Sequence, residues 1–297
     1  MRKSRKRRSN NSKSTSRKRS SANSTRPVEG FMFDLDGTLV LTDRSFSGYQ
    51  LLPGAVEVLN ELTARGVPFV VLTNGSHYPP AEQAPKLRAL GLPISDDRLI
   101  TPSTVAADLM PRRGVKQALV LGTLGVGHAL REAGIETIFT GEDGAEHAQA
   151  VYIGWHPQCG MKDIETAVKA IWNGAELYVA SDVPFFATSA GKTMGHSHAI
   201  TAAVRKLTRA PMVLTGKPSL HALRFVAKKL GIPMRRVGVV GDDPVVEMIM
   251  ARRGGAVGFG VTTGMSKKQD WIKQPLSRRP HRILRDLTEL LTLGTVS

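Results

Sequence analysis

Four short polar clusters, each at the end of an apolar run, contain the residue types from which chemistry can be built. They are Asp34 with Asp36, Thr73 and Asn74 with Ser76, Thr215 with Lys217, and Asp242 with Asp243. One residue separates Asp34 from Asp36, and on an extended backbone that spacing turns both carboxylates to the same side. Two such charges repel each other unless a cation or a shared proton intervenes. With Asp242 they make a hard-oxygen set suited to Mg²⁺. The Thr73 hydroxyl and the Asn74 amide are donors for phosphate oxygens, and Lys217 adds a fixed positive charge. Any one cluster could be a plain turn, since Asp-Gly and Asn-Gly are common turn dipeptides. The inference therefore rests on all four together.

The elements that must position them are strands. Phe31-Met32-Phe33, Val67 to Leu72, Met212 to Leu214 and Val237 to Val240 are apolar runs of strand length, each broken by glycine or polar residues. Helical faces alternate with them, for example Ala55, Val56, Val58, Leu59 and Leu62, ending near Gly66. That alternation predicts a parallel α/β sheet, in which loops at the carboxyl ends of the strands converge on one crevice. Residues 37–52 read as an irregular passage and Ile283 to Leu293 as a closing helix. Between them, residues 79–210 repeat the alternation, with strands near 118–121, 150–153 and 177–180 and helices near 103–110, 125–133 and 162–173. This stretch has the size and pattern of a domain of its own.

Composition bounds the alternatives. The chain has 297 residues, 41% apolar and 22% charged, as in an ordinary globular protein with one large or two smaller domains. A single cysteine, Cys159, excludes an intramolecular disulfide framework and fits a reducing compartment, where it reads as a structural thiol. No apolar run has the length of a membrane span and the basic N-terminus lacks a signal-peptide core, so the expected location is cytoplasmic. Eleven of the charges behind the formal net charge of +16 are Lys or Arg in residues 1–26, a segment without acids, which leaves +5 for the rest. With no Leu, Ile, Val or aromatic residue, that tail cannot bury apolar surface. Its functional reading is an electrostatic arm for nucleic acid or another polyanion; its bland reading is a solvated tail.

Asp34-Leu35-Asp36-Gly37-Thr38-Leu39, Leu72-Thr73-Asn74-Gly75-Ser76, Gly216-Lys217-Pro218-Ser219 and Gly241-Asp242-Asp243 together resemble the four motifs of haloacid dehalogenase-like (HAD) hydrolases. The long interval from Ser76 to Gly216 resembles the NagD-like or p-nitrophenylphosphatase-like group, whose α/β cap of the C2 type is inserted between the second and third motifs. The resemblance implies a Rossmann-like parallel-sheet core from residues 28–78 and 211–297 and a cap from 79–210, and it leaves outside it the basic tail, 1–27, whose composition reads as disordered. It also implies a Mg²⁺-dependent phosphatase acting on a small phosphorylated metabolite. Asp34 is then the nucleophile and Asp36 the proton carrier. Thr73 and the Asn74 backbone hold the phosphoryl oxygens, Lys217 neutralises charge, and Asp34, the Asp36 carbonyl and Asp242 ligate the metal. Caps of this kind often make dimer contacts, so the resemblance allows a homodimer, which the residues themselves do not decide.

Several positions depart from the family pattern. Val246 and Glu247 stand where NagD-like members usually have Thr-Asp, so Glu247 reads either as an acceptor near the metal, like Asp243 beside it, or as a helix-dipole acid. Gly75 replaces a usual Asn and alters substrate contacts. In the cap, His196 and His198 precede a helix, where one could meet an anionic substrate and a His-x-His pair could bind a transition metal. Tyr152, Trp155 and His156 read equally as cap core or as substrate-stacking residues. Two rival functions remain at this stage: a decayed HAD scaffold that binds through its basic arm, and a phosphotransferase.

Overall fold

A computed structural model describes residues 28–43, 48–188 and 191–292; the tail reading lies outside them. Two parallel sheets organise the chain. The first has six strands in the order Arg282–Leu284, Val257–Val261, Val237–Gly241, Gly30–Phe33, Phe69–Leu72, Leu99–Ile100. The second has five, in the order Met212–Leu214, Glu176–Val179, Ala150–Ile153, Gln117–Leu121, Glu136–Ile138. Every pairing within both sheets is parallel. This is the α/β architecture that the sequence implies, a Rossmann-like sheet with an inserted second α/β unit.

Parallel strands covered on both faces are apolar at nearly every position, and alternate side chains feed two different cores. In the first sheet Phe31, Phe33, Phe69 and Val71 enter one cluster, against Val58 and Leu59 of the helix Ala55–Ala64. Met32, Val70, Leu72 and Val239 enter the other, against Leu223 and Val226 of the helix Leu220–Leu230. The second sheet repeats this. Leu119, Val151 and Leu177 pack on Ile200 and Val204 of the helix His196–Thr208, and Val120 and Tyr152 pack on Val126 and Leu130 of the helix Leu124–Glu132. Tyr152 is thus cap core, fully buried. Burying each large apolar side chain contributes roughly 1.5–3 kcal/mol, so the strand Gly30–Phe33 is anchored from both sides before any polar contact is made.

Three details differ from the sequence expectation. Leu99–Ile100 lies within the span assigned to the cap but extends the first sheet beside Phe69–Leu72, and Met212–Leu214, expected to belong with the core, pairs with Glu176–Val179 in the second sheet. The closing helix is replaced by the strand Arg282–Leu284 and a short helix Glu289–Thr292, because Ile283 and Leu284 pair with Gly260 and Val261. Within the passage expected to be irregular, Val40–Thr42 and Tyr49–Leu51 form an antiparallel hairpin. Among the described residues no helix is long and apolar enough to cross a membrane.

Candidate active site

The strand Gly30–Phe33 lies between Val237–Gly241 and Phe69–Leu72, so the carboxyl ends of three adjacent strands release Asp34, Thr73 and Asp242 at one edge of the sheet. The backbone ladder continues to that edge: the Asp34 N–H donates to the Val240 carbonyl at 2.9 Å and the Thr73 N–H to the Ile100 carbonyl at 3.1 Å. Gly37, at φ 88°, then turns the chain back, a left-handed conformation that favours glycine. The Leu35 carbonyl closes this turn by accepting from the Leu39 and Val40 N–H groups. The two acids of the first cluster part company here. The Asp34 carboxylate accepts from the Thr38 hydroxyl at 3.0 Å and from the Lys217 ammonium, whereas Asp36 accepts from the Thr42 hydroxyl. Burial pushes the Asp36 carboxyl up to about 6; the Thr42 hydrogen bond opposes this and the neighbouring Asp34 charge adds to it.

Lys217 arrives from the other unit. Its backbone is held at two points by the Asn74 side chain, whose Oδ1 accepts from the Lys217 N–H at 2.7 Å while Nδ2 donates to the Lys217 carbonyl at 3.0 Å. The Asn74 side chain is therefore occupied by the Lys217 backbone. The Thr73 hydroxyl accepts from the Gly75 N–H at 2.9 Å and keeps its own proton to donate. The Lys217 ammonium is 2% exposed and lies 2.8 Å from Glu247, itself 3% exposed, as well as against Asp34. Burial works against its charge, but the two carboxylates outweigh burial and hold its pKa above the ordinary lysine range.

Asp242 closes the site. Its Oδ2 accepts from the Met265 N–H at 2.7 Å, and a Cβ on Gly37 or Gly264 would lie only 2.2 or 2.1 Å from that oxygen. Two glycine backbones thus cradle the carboxylate. Burial first, then the Asp34 charge, push the Asp242 carboxyl up to about 8. Asp34, Asp242 and Glu247 are all buried, with carboxylate oxygens within 4.8 Å of one another. Fully ionised, three carboxyl groups would outnumber the Lys217 ammonium they face, and burial with this crowding raises the Asp242 and Glu247 carboxyls; the all-oxygen donor set fits a hard divalent cation, which would favour their ionised forms. Glu247 therefore belongs to the cluster and is not a solvent-facing helix acid. Asp243 caps the turn that follows, accepting from the Val245 N–H at 2.7 Å, and lines the cavity without joining the carboxylate group.

The cavity above these residues encloses about 140 Å³. Its far wall comes largely from the second unit. Trp155 and His196 stack there, with ring centroids 3.9 Å apart and planes 12° from parallel, and His77 meets Trp155 edge-on. Burial lowers the pKa of both His196 and His77, which favours the neutral imidazoles. The His-x-His pair divides: His196 faces the cavity, while His198 Nδ1 lies 2.8 Å from Asp182. The Ser76 hydroxyl accepts from the Trp155 N–H at 3.0 Å and ties the wall to the loop of the second cluster. His77, Tyr78 and Tyr49 also line the cavity. Sequence reasoning passed over these three, although His77 and Tyr78 directly follow Ser76 and that adjacency was the available signal.

Comparison with known proteins places these motifs in company. The chain matches family descriptions for a haloacid dehalogenase-like hydrolase over residues 31–136 and for a HAD-hydrolase-like segment over residues 214–290. It is 24% identical over 262 residues to the 5′-nucleotidase YutF of Bacillus subtilis, covering 88% of this chain and 96% of that one. Its structure is similar to that of the 4-nitrophenylphosphatase of Thermotoga maritima, with a TM-score of 0.78 and 25% identity over 89% of this chain and 97% of the other. It is also similar to the glycerol phosphate phosphatase of Mycobacterium tuberculosis solved in complex with calcium, with a TM-score of 0.76 and 25% identity over 88% and 74% of the two chains.

Proposed function

The chain belongs to the haloacid dehalogenase-like hydrolases, in the NagD- and p-nitrophenylphosphatase-like branch with an inserted cap, and from that premise we propose a Mg²⁺-dependent phosphatase that cleaves a small phosphomonoester through an aspartyl-phosphate. The observation that carries the reading is the surroundings of Asp34: a buried carboxylate at the end of the central strand, held by Thr38 and Lys217 and grouped with Asp242 and Glu247. Asp34 attacks phosphorus in line with the leaving oxygen. A P–O bond forms to Asp34 as the ester P–O bond breaks, and one hard hydrolysis becomes two easier steps.

Asp36, on the cavity wall, donates its proton to the leaving alcohol and then takes one from the water that releases phosphate. The Thr73 hydroxyl and the Asn74 backbone N–H donate to the phosphoryl oxygens, and the Lys217 ammonium holds Asp34 in line and offsets the charge that gathers there. Asp34, Asp242 and the Asp36 carbonyl would hold Mg²⁺, which would supply positive charge to offset that of the carboxylates and the phosphoryl group. Support for the cation includes the calcium bound by the mycobacterial relative. Glu247 binds Lys217 and keeps its ammonium aimed at Asp34.

The cap wall of Trp155 and His196 offers the leaving group a stacked, neutral surface. Substrates in the names of relatives, a 5′-nucleotide, glycerol phosphate and 4-nitrophenyl phosphate, define the panel to try. Purified protein with Mg²⁺ is assayed for phosphate release across that panel, with an acceptor alcohol added in parallel to detect transfer. Release that disappears in Asp34→Asn is the expected result. No release from any ester, or undiminished release by Asp34→Asn, overturns the proposal, and phosphate appearing on the alcohol favours a phosphotransferase. A homodimer and polyanion binding by the tail complete the proposal.

A further inference from the structure

Away from the carboxylate cluster, a second group of ligand-type side chains meets where the chain leaves the strand Ala150–Ile153 and enters the helix Met161–Trp172. His156, Cys159 and Asp163 each present a ligand atom, and these atoms lie within 4.8 Å of one another. We propose that this trio binds a divalent transition-metal ion of the zinc class, independently of the site that handles phosphate.

Donor chemistry selects the ion. One thiol sulfur, one imidazole nitrogen and one carboxylate oxygen form a borderline-soft set that suits Zn²⁺ and not Mg²⁺. Three protein ligands leave a fourth position for water, and the half-buried setting of all three residues gives it access. Metal–ligand bonds of about 2.0–2.3 Å in a tetrahedron put neighbouring ligand atoms about 3.5 Å apart, so the trio must draw together by roughly 1 Å at its widest. Cys159 sits on an irregular loop, between His156 and the N-cap Gly160, where such a shift requires no helix or strand to move.

Each residue also has a feature that its local role does not explain. Asp163 accepts from the Gly160 N–H at 2.7 Å and so caps its helix, but capping does not require a thiol and an imidazole to face it. The His156 Nε2 is 3.6 Å from the Asp163 carboxylate, a long contact, and among the described residues its Nδ1 is buried without a hydrogen-bond partner. An imidazole so loosely engaged is free to offer a lone pair. Burial, and then the Asp163 charge, push the Cys159 thiol up to about 11, so in the metal-free protein it is protonated and a weak nucleophile. Metal binding forms the S–metal bond and breaks S–H, with the proton leaving to solvent. A metal here also braces the cavity wall, since His156 follows Trp155 directly and its backbone is hydrogen-bonded to the His196 ring.

The test uses the metal-free full-length protein, with Mg²⁺ in excess to fill the carboxylate site, titrated with Co²⁺ and followed by absorption. Cys159 is the one cysteine of the chain, so a thiolate-to-cobalt charge-transfer band reports this site alone. The expected result is a band that saturates at one equivalent with the intense visible absorption of four-coordinate cobalt, and that Zn²⁺ abolishes. It is absent in Cys159→Ser and Cys159→Ala, and its midpoint is at least tenfold weaker in His156→Gln and Asp163→Asn. Thermal melts of the metal-free variants establish that each is folded. No band at one equivalent, or a band of unchanged midpoint in both His156→Gln and Asp163→Asn, overturns the proposal, the second result meaning that the thiol binds cobalt without the other two.

Discussion

Replacing Lys217 by Met removes the ammonium that, alone among the described residues, pairs with the Asp34 and Glu247 carboxylates, and keeps most of the apolar stem. In the metal-free protein at pH 8 this leaves buried charge uncompensated, because both ion pairs of Lys217 are 8% exposed or less on each side. Removing one partner of a buried pair costs about 3–5 kcal/mol. With a shift of about 2–4 °C per kcal/mol for a chain of this size, the melting temperature should fall by roughly 10 °C. The direction of the pH dependence follows from Asp242. Its carboxyl is raised from 3.8 to about 8 in the folded state, so between those values the native protein binds more protons than the unfolded chain. Stability contributed by that proton is therefore present at low pH and is lost as pH rises towards 8. Lys217→Met removes a charge that holds the Asp242 and Glu247 carboxyls down and so raises both further, which makes its penalty larger at pH 8 than at pH 5.5. Thermal melts in EDTA at both pH values, with Mg²⁺ added back at pH 8, are the assay. A loss of equal size at the two pH values would mean that packing, not charge, is what Lys217 supplies, and no loss at pH 8 would refute the electrostatic account altogether.

Three further outcomes follow from the same geometry. Asp36→Asn lowers kcat by about 10²–10⁴-fold with an alkyl phosphate and by less with 4-nitrophenyl phosphate, whose leaving group needs no proton; equal losses with both esters would refute proton transfer by Asp36. Asp242→Asn takes one of three carboxylates from the cluster and raises the Mg²⁺ concentration for half-maximal turnover at least tenfold, as read from a Mg²⁺ titration after EDTA treatment. Removal of residues 1–26 leaves turnover of a small ester unchanged and abolishes salt-sensitive retention on a polyanion column; a large loss of turnover would put the tail in the site.

The sheet edge was legible in sequence because it depends on local pattern. Apolar runs such as Phe31 to Phe33 and Val237 to Val240 can only be buried strands, and each hands the chain to a polar cluster at its carboxyl end. Which sheet a strand joins is a long-range matter. Leu99–Ile100 has two residues and no pattern of its own, and Met212–Leu214 is equally apolar in either sheet. The helical reading of Ile283 to Leu293 failed because Leu284, Leu287 and Leu290 keep a three-residue spacing that suits a helix, while pairing with the strand Val257–Val261 decided the conformation of the first few residues. The cap wall was hardest to foresee. Trp155 and His196 are 41 positions apart, and their stacking depends on how the strand Ala150–Ile153 and the helix His196–Thr208 are set across the second sheet. Glu247 was legible as an acid near the site, but its partner was not, since nothing local ties it to Lys217.

The two-point grip of Asn74 on the Lys217 backbone has a mechanical consequence. Just upstream, the Thr215 and Gly216 N–H groups donate to the Val179 and Ala180 carbonyls, so the chain belongs to the ladder of the second sheet up to Gly216. One residue later Asn74, at the end of a strand of the first sheet, takes over. Lys217 is therefore the residue at which the chain passes from the ladder of the second sheet to a contact with the first. A movement of one sheet against the other would load the backbone between Gly216 and Lys217, while the Asn74 grip would keep the ammonium registered to Asp34. The lysine is thus anchored to the sheet that carries Asp34, although the chain reaches it from the other sheet.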